Sequence, residues 1–322
     1  MELHVGSSGR LGPGVEVAPA GGLWRATRPL HPGLRRFVRD YAGYWEAVSA
    51  RRRVRMIPTP RAVVLISLGE PFSQICRMGV PGPGSGVIGS LVGGLSDGPT
   101  LCEHPGGQEA IRLELTPLGA YRLLAMPTGE LTNQVVELRD VLGPDARVLA
   151  ERLAAAPDWA ARFDLLDDVL LARLGSGPAP APQVSHAWRL LVSTAGVIPM
   201  TKIAAEVGWS QRHLIRRFTQ QVGLTPKMSA RVLRFHRAVG MLTPGAASLA
   251  DVSAACGFYD QAHLSREFSA LAGITPGLMT PVPRVQGPLA LWSEGKFVQA
   301  QPSRTPLQSP KRSLARQSCL PT

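Results

Sequence analysis

Cysteine is scarce in this 322-residue sequence, which has four cysteines and no C-x-x-C pair. Cys76, Cys102, Cys256 and Cys319 lie far apart along the chain. Thiols scattered in this way argue against a disulfide framework and a zinc knuckle, so reduced cysteines are expected. The sequence also lacks a recognisable Ser/His/Asp or Cys/His arrangement and a correctly placed Gly-rich phosphate loop. It therefore predicts no catalytic residues, no metal site and no cofactor.

Long apolar runs are missing as well. The longest aliphatic run, Ala62–Leu68, is far too short to span a bilayer, and Met1–Arg10 lacks the apolar stretch of a secretory signal. We therefore predict a cytoplasmic protein with no membrane partner.

Acidic residues are outnumbered, with 23 Asp and Glu against 35 Lys and Arg, which gives a formal net charge of +12 and a pI near 10.5. A polyanionic partner fits this charge, although net charge alone does not separate nucleic acid from a membrane surface. Hydrophobic residues make up 44% of the chain. A chain of this length and composition can bury one or two cores, and two domains are expected.

The first half of the chain changes from strand-like to helix-like patterns. Leu34, Phe37, Val38 and Tyr41 are spaced as one apolar stripe of a helix. Strands are predicted after this stripe, over 62–68, 86–92 and 111–115. Helices are predicted next, over 118–126, 144–155 and 158–174, with Asp158 as an N-cap. Strands followed by helices define an α+β fold.

Composition divides the chain into five segments. Residues 1–22 are rich in Gly, Ser and Pro and predict a flexible leader, and residues 283–322 predict a flexible tail. A run of Gly, Pro and Ala predicts a linker over 175–183. This linker separates the α+β domain, over 23–174, from an all-α domain over 184–282.

One pattern of residues occurs twice between positions 196 and 280. Residues 202–208 correspond to 251–257, and His213–Phe218 correspond to His263–Phe268. Each copy ends in Gly-x-Thr-Pro. The offset between the copies is 49 residues before the turn and 50 after it, so the second copy has one extra turn residue.

Each copy carries the parts of a helix-turn-helix unit: an inward apolar face, a turn glycine, a cap and an anchoring pair one helical turn apart. In the first copy these parts are Ile203, Ala204 and Val207, then Gly208, Ser210, and Leu214 with Phe218. In the second copy they are Val252 with Ala255 or Cys256, then Gly257, Asp260, and Leu264 with Phe268. The outer face of each second helix is expected to enter a major groove of DNA.

Once the anchoring pairs face inward, helical geometry places other side chains outside. These are Arg212, Ile215, Arg216 and Thr219 in the first copy, and Gln261, Ala262, Ser265, Arg266 and Ser269 in the second. An arginine can form two hydrogen bonds to guanine, and a glutamine can form two to adenine. We therefore predict Arg216 and Arg266 as the principal base-reading residues, followed by Arg212 and Gln261.

Contacts to the DNA backbone need only positive charge or a hydrogen-bond donor. The residues predicted for them are Ser210, His213, Arg217, Arg231, Arg234 and His263. The two histidines occupy the same repeat position, where a structural role or phosphate contact is favoured over catalysis. Residues 184–284 hold 11 basic and 4 acidic residues, so more than half of the excess charge lies in this part of the chain.

A long helix is predicted between the copies, over Lys227–Leu242. Successive major grooves on one face of DNA are about 34 Å apart. A rigid connector would fix the separation of the two recognition helices, and one chain could then span both grooves.

These residues resemble the AraC/XylS family of bacterial transcription regulators. The resemblance lies in Gly257-Phe258, His263–Phe268 and Gly273–Pro276, and it extends over Ala187–Thr280. It implies two homeodomain-like helix-turn-helix subdomains joined by a long helix. The base-reading residues that it implies are Arg212, Ile215, Arg216, Gln261, Ser265 and Arg266.

Two positions depart from the family pattern. Gly277-Leu278-Met279 stands where the family usually has an aromatic residue and an arginine, and Gly240 weakens the connecting helix. Both departures concern local stability more than DNA binding.

The first half is similar to the sensor domain of one subgroup of the same family, through Arg28–Val38 and Leu115–Tyr121. This similarity implies a cupin-like β-structure followed by helices. It also implies a domain that binds a small effector or pairs two protomers.

Three other groups of residues have competing explanations. Cys102-Glu103-His104 could ligate a metal, but a soft site usually needs three or four converging ligands, and the domain offers only Cys76 and a distant His31 besides. Trp24, Tyr44 and Trp45 fit an effector pocket or, more commonly, a core. Arg51–Arg55 fits a contact with DNA or an acidic ligand, or a solvated turn.

The sequence thus predicts a sequence-specific, nucleoid-associated transcription regulator without enzymatic activity. Its predicted partner is double-stranded DNA, and RNA polymerase, a small-molecule effector and a second copy of the chain are further candidate partners. The alternative is a DNA-repair or other enzyme fused to an AraC-type DNA-binding module, which would need a metal-bound cysteine cluster. A third hypothesis is a module whose N-terminal domain only assembles protomers.

Overall fold

The computed structural model describes residues 12–20, 23–46, 52–69, 72–73, 75–77, 87–104, 108–242 and 248–278. The predicted tail, 283–322, lies outside the described residues, as do Cys319 and most of the predicted leader. Among the described residues, no helix combines the length and the apolar character that crossing a membrane requires.

The first part of the chain is built mainly from strands. Their bounds are β1 Glu16–Ala20, β2 Leu23–Thr27, β3 Val38–Glu46, β4 Arg52–Met56, β5 Ala62–Ser67, β6 Phe72–Ser73, β7 Ile75–Arg77, β8 Val87–Ile88, β9 Leu91–Gly93, β10 Thr100–His104, β11 Glu109–Leu115 and β12 Val135–Glu137. All pairs are antiparallel. One sheet has the order β1-β2-β3-β11-β5-β9-β12, a second has β4-β10-β7, and a third pairs β6 with β8.

Helices follow the strands. Their bounds are α1 Pro117–Leu124, α2 Leu138–Leu142, α3 Asp145–Ala155, α4 Trp159–Ser176, α5 Pro182–Ser193, α6 Met200–Val207, α7 Gln211–Val222, α8 Pro226–Met241, α9 Leu249–Ala255 and α10 Gln261–Ala272. Short 3-10 turns lie at Pro32–Leu34, Thr128–Leu131 and Pro276–Leu278. The predicted class is therefore confirmed, with antiparallel β-structure and helices in the N-terminal part and, over the described residues from 182 onwards, only helices.

The large sheet packs one face against α4 through aromatic rings. Trp45 stacks on Trp159 with ring centroids 5.6 Å apart, and Tyr41 stacks on Phe163 at 5.2 Å. A Cβ at Gly43 would overlap the Trp159 ring, so only glycine allows the helix to approach β3 so closely. The predicted N-cap is confirmed, because the Asp158 carboxylate accepts a hydrogen bond from the amide of Ala161.

The helix predicted from the stripe Leu34 to Tyr41 is wrong. The chain makes a 3-10 turn that ends at Leu34 and enters β3 at Val38. Neighbouring residues of this strand are buried on both faces of the sheet, as Tyr41, Ala42, Tyr44 and Trp45 show. A strand covered on both sides loses the alternation that identifies it, and its apolar residues can then mimic helical spacing.

The other element predictions agree with the structure, with shifted ends. Strands 62–68 and 111–115 are confirmed, and 86–92 is divided between β8 and β9. The flexible leader is wrong over 16–20, where β1 pairs with β2. The linker is shorter than 175–183, because α4 continues to Ser176 and α5 begins at Pro182.

The first helix-turn-helix copy shares a core with the N-terminal part. One continuous apolar cluster joins sheet and helix residues such as Ile111 and Phe163 to Leu214, Phe218 and Val222. The second copy has its own cluster, around Phe235 and Phe268, to which the N-terminal part contributes Ile57. The first copy is therefore stabilised by the core that it shares with the N-terminal part, and the second copy mainly by its own cluster.

Candidate nucleic-acid interface

The first helix-turn-helix unit consists of α6, a turn and α7. Gly208 ends α6 with φ +68°, a conformation that favours glycine, and turns the chain towards α7. The Ser210 hydroxyl then accepts a hydrogen bond from the amide of His213 and caps α7. Leu214 and Phe218 are fully buried one helical turn apart, as the sequence predicts.

The second unit, formed by α9 and α10, repeats this construction. Gly257 has φ +70°, and the Asp260 carboxylate accepts a hydrogen bond of 2.6 Å from the amide of His263. From the sequence, either Ala255 or Cys256 was expected on the inward face of the first helix of this unit. Cys256 is fully buried, and burial raises the pKa of its thiol, whereas Ala255 is exposed.

Each turn contains an aromatic residue that packs against the histidine of the recognition helix. Trp209 and His213 meet edge to face at 4.5 Å in the first unit, and Phe258 and His263 do so at 5.4 Å in the second. The extra residue of the second copy is Tyr259, whose side chain is 93% exposed. Its backbone amide donates to Nδ1 of His263. Both histidines therefore help to hold the turns.

Most residues predicted to read bases lie on the surface of α7 and α10. Those that are exposed are Arg212, Ile215, Arg216, Gln261 and Arg266. Ser265 is half-buried, as is Thr219, which the helical pattern also placed outside. Their roles in base reading remain predictions.

The residues predicted for backbone contacts have partners within the protein. The Ser210 hydroxyl is the cap of α7, and Nη1 of Arg217 donates to Oε1 of Gln220 at 2.9 Å. His213 and His263 pack on the turn aromatics. For these four residues, a phosphate contact stays a prediction.

Arg231 and Arg234 connect α8 to the second unit. The Arg231 guanidinium donates to both carboxylate oxygens of Glu267, at 2.9 and 3.1 Å. Arg234 Nη1 donates to the carbonyl of Gly257 at 3.1 Å, and its guanidinium lies 5.6 Å from the centre of the Phe258 ring. These contacts join residues 23 to 36 positions apart, and the sequence pattern did not reveal them. Both predicted contacts with DNA stay predictions.

The connecting helix α8 is capped by Thr225, whose hydroxyl accepts a hydrogen bond from the amide of Met228. Val232, Phe235 and Val239 are buried along it. Phe235 meets Phe268 edge to face at 4.8 Å, so the connector packs directly on the second recognition helix.

A polar cluster lies on the face of the large sheet opposite α4. Glu114 accepts from Arg61 at 2.5 Å and from Arg112 at 2.8 Å, and nearby Asp40 accepts from Arg25 at 2.7 Å. Burial lowers the pKa of Arg112 and raises that of Asp40. Strand β11 thus presents Ile111 and Leu113 to the side of α4, and Arg112 and Glu114 to the other side.

Other candidate residues are found in different surroundings. Tyr44 and Trp45 are buried, and Trp45 also stacks on Trp24 at 6.3 Å. Cys102 is buried in β10, and within the described ranges no three His, Cys, Asp or Glu residues converge as metal ligands. The arginine-rich run predicted as a solvated turn is largely strand β4, and Arg55 donates to the carbonyl of Gly273 at the end of α10.

Two helix-turn-helix units joined by one helix, each with exposed side chains on its second helix, define a double helix-turn-helix DNA-binding domain. The comparisons with known proteins agree with this class. Residues 184–279 match the family described as "Helix-turn-helix domain". The chain is 32% identical over 90 residues to a protein of Bacillus subtilis, "Uncharacterized HTH-type transcriptional regulator YbfI". That match covers 28% of this chain and 32% of the Bacillus protein.

Solved structures are similar to a short and to a longer part of the chain. An AraC-type DNA-binding domain protein from Chromobacterium violaceum is 31% identical, covering 30% of this chain and 87% of that one, with a TM-score of 0.28. ToxT from Vibrio cholerae is 9% identical, with 73% and 96% covered and a TM-score of 0.43. The two sequence matches show a helix-turn-helix domain over residues 184–279, the part of the chain in which the sequence resembles the AraC/XylS family.

Proposed function

We propose that the protein is a sequence-specific transcription regulator that binds double-stranded DNA in two successive major grooves. The observation that supports this proposal most strongly is the pair of capped recognition helices, α7 and α10, each with an exposed arginine on its outer face. Arg216 and Arg266 would each read a guanine. Arg212, Ile215, Gln261 and Ser265 would complete the two base-reading surfaces.

The positive charge of this domain supports the same proposal, because phosphate neutralisation supplies much of the affinity of DNA-binding proteins. Ser210, His213, Arg217, Arg231, Arg234 and His263 are the proposed backbone contacts. In this proposal the protein acts on the bacterial nucleoid in the cytoplasm, has no enzymatic activity and influences transcription through RNA polymerase.

Titration of the full chain with duplex DNA at several salt concentrations tests this proposal. The logarithm of the binding constant should fall linearly with the logarithm of the salt concentration, as counterions are released. Footprinting should then protect one face of the DNA over two grooves. Binding that is independent of salt, or the absence of a footprint, would contradict the proposal.

Tyr259 adds a residue that the sequence pattern did not identify. It is 93% exposed, directly before the cap of α10 and two residues before Gln261. We expect Tyr259→Ala to weaken DNA binding by about two- to tenfold, the size of one lost hydrogen bond or a comparable contact. Stability should change by less than about 0.5 kcal/mol, as for other surface substitutions.

Tyr259→Phe is the matched control for this prediction. If the hydroxyl donates to a phosphate, the Phe variant should bind DNA as weakly as the Ala variant. If the ring contacts the DNA, the Phe variant should bind like the unchanged protein. Equal affinity of all three proteins in a fluorescence anisotropy titration would show that Tyr259 does not touch DNA.

We further propose that the N-terminal domain binds a small effector or pairs two copies of the chain. The charged cluster around Arg61, Arg112 and Glu114 supports the first role, because ligand pockets typically contain a few polar groups that orient the ligand. Thermal shift screening of the full chain separates the two roles, since a specific ligand stabilises the protein by mass action. A concentration-dependent dimer in sedimentation experiments, with no stabilising ligand, would favour pairing.

A further inference from the structure

The N-terminal domain touches the C-terminal ends of both recognition helices. Helix α7 ends at Val222 and α10 at Ala272, and each is followed by a glycine cap. The carbonyl groups at a helix end lack partners within the helix and carry partial negative charge. Both ends therefore offer acceptors to a neighbouring domain, while Arg216 and Arg266 lie exposed in the N-terminal halves of the helices.

The first contact is made by the 3-10 turn Thr128–Leu131 and the residue after it. The Thr128 hydroxyl donates to the carbonyl of Gln220 at 3.4 Å, and the Thr132 hydroxyl donates to the carbonyl of Gly223. The backbones also approach closely, because a Cβ at Gly129 would lie 3.0 Å from the carbonyl oxygen of Thr219. This contact fixes the end of α7 against the N-terminal domain.

The second contact is made by β4 and the residues that follow it. Nη1 of Arg55 donates to the carbonyl of Gly273 at 3.1 Å and lies 3.5 Å from that of Ala272. A guanidinium at this place complements the partial charge of the end of α10. Ile57 adds an apolar anchor, since it is buried in the same cluster as Phe268.

Helix α8 joins the two units and packs on both of them, through Val232 on the first and Phe235 on the second. Gly240, near its end, lowers the helix propensity there. Contacts from the N-terminal domain to the ends of both α7 and α10 add a second constraint on the relative position of the two recognition helices. Arg55 and Thr132 reach these ends from different parts of the domain.

We propose that the N-terminal domain positions the two recognition helices, and that Arg55 and Thr132 thereby set the spacing of the DNA half-sites that the protein accepts. This inference rests on the proposed DNA-binding function. Arg55 and Thr132 are positioning residues, because they act through the ends of α10 and α7 and not on the DNA.

The experiment measures the affinity of the full chain for operators whose two half-sites are moved apart or together by one or two base pairs. The unchanged protein should lose about tenfold or more in affinity at a wrong spacing, a loss comparable with one mismatched base pair. Arg55→Ala and Thr132→Val should each reduce this discrimination to about threefold. Affinity at the preferred spacing should fall by up to about tenfold, as one hydrogen bond is lost.

Two controls identify the positioning effect. Arg55→Lys keeps the positive charge and should restore part of the spacing preference, and Arg39→Ala removes an exposed arginine of the same domain and should change nothing. Binding to a single half-site should be unaltered in both positioning variants. An unchanged spacing profile in Arg55→Ala and Thr132→Val, or an equal loss on single half-sites, would overturn the inference. Absence of DNA binding by the unchanged protein would instead overturn the proposed function.

Discussion

Replacing Phe268 by alanine is expected to unfold the second helix-turn-helix unit while the rest of the chain stays folded. Phe268 is fully buried and meets Phe235 edge to face. Truncation of a buried phenylalanine costs about 3–5 kcal/mol. The cluster that contains Phe268 is separate from the main core, so the loss should stay within this unit.

The distribution of tryptophan allows this result to be measured. Five of the six tryptophans, 24, 45, 159, 188 and 209, lie in the N-terminal part and the first unit, and residues 248–278 contain none. The sixth, Trp292, is replaced by phenylalanine in all proteins used for this measurement. Denaturant unfolding of Phe268→Ala should therefore show an early loss of helical circular dichroism, with an unchanged transition in tryptophan fluorescence. A shift of both signals together would show that the second unit does not unfold by itself.

Phe218→Ala is the matched control, since Phe218 occupies the equivalent repeat position and is also fully buried. Its surroundings differ, because it belongs to the core shared with the N-terminal domain and its ring centroid lies 6.3 Å from that of Trp188. This variant should lower the midpoint of the fluorescence transition. Phe218→Ala should thus destabilise the whole protein, whereas Phe268→Ala should unfold only the second unit.

The second large effect concerns sequence preference. Arg216→Ala and Arg266→Ala should each relax the preference for one base pair, in different halves of the operator. A bidentate arginine contact provides about 1–3 kcal/mol of discrimination, which corresponds to about 5- to 150-fold in relative affinity. Both side chains are exposed, so the folded protein should be unaffected.

Arg217→Ala is a suitable comparison for this prediction. Arg217 neighbours Arg216 but is half-buried against Gln220, and a phosphate contact is proposed for it. Its loss should weaken binding to all sequences about equally and reduce the salt dependence. If Arg216→Ala and Arg266→Ala also weaken specific and scrambled operators equally, the assignment of base reading is wrong.

Local signals in the sequence were enough to predict the double helix-turn-helix domain. The turn glycines, the caps Ser210 and Asp260 and the buried pairs one turn apart act within a few residues, and a repeat displays each of them twice. The N-terminal strands were harder to predict, because residues such as Tyr41 and Ala42 are covered on both faces of the sheet. Their pattern then contains no alternation.

Contacts between distant residues could not be predicted from the sequence. Arg231 and Glu267 are 36 residues apart, and Arg55 and Gly273 are 218 apart. From the sequence alone, Arg231 was predicted to contact DNA, and the run that contains Arg55 was predicted to be a solvated turn. In the structure, Arg231 forms an ion pair with Glu267, and Arg55 caps the end of α10. Tyr259 could have been identified from the sequence, because it is the extra turn residue of the second copy. The side chain of a residue inserted in a turn points towards solvent.

Selection of bound duplexes from a random library by the full chain tests the central claim most directly. If α7 and α10 read two successive major grooves, the selected sequences should contain two short conserved blocks about 10 base pairs apart, centre to centre. Selection with Arg216→Ala and with Arg266→Ala should each lose conservation at one position of a different block. Selected sequences with a single conserved block, or with none, would contradict the claim that this chain reads DNA with two recognition helices.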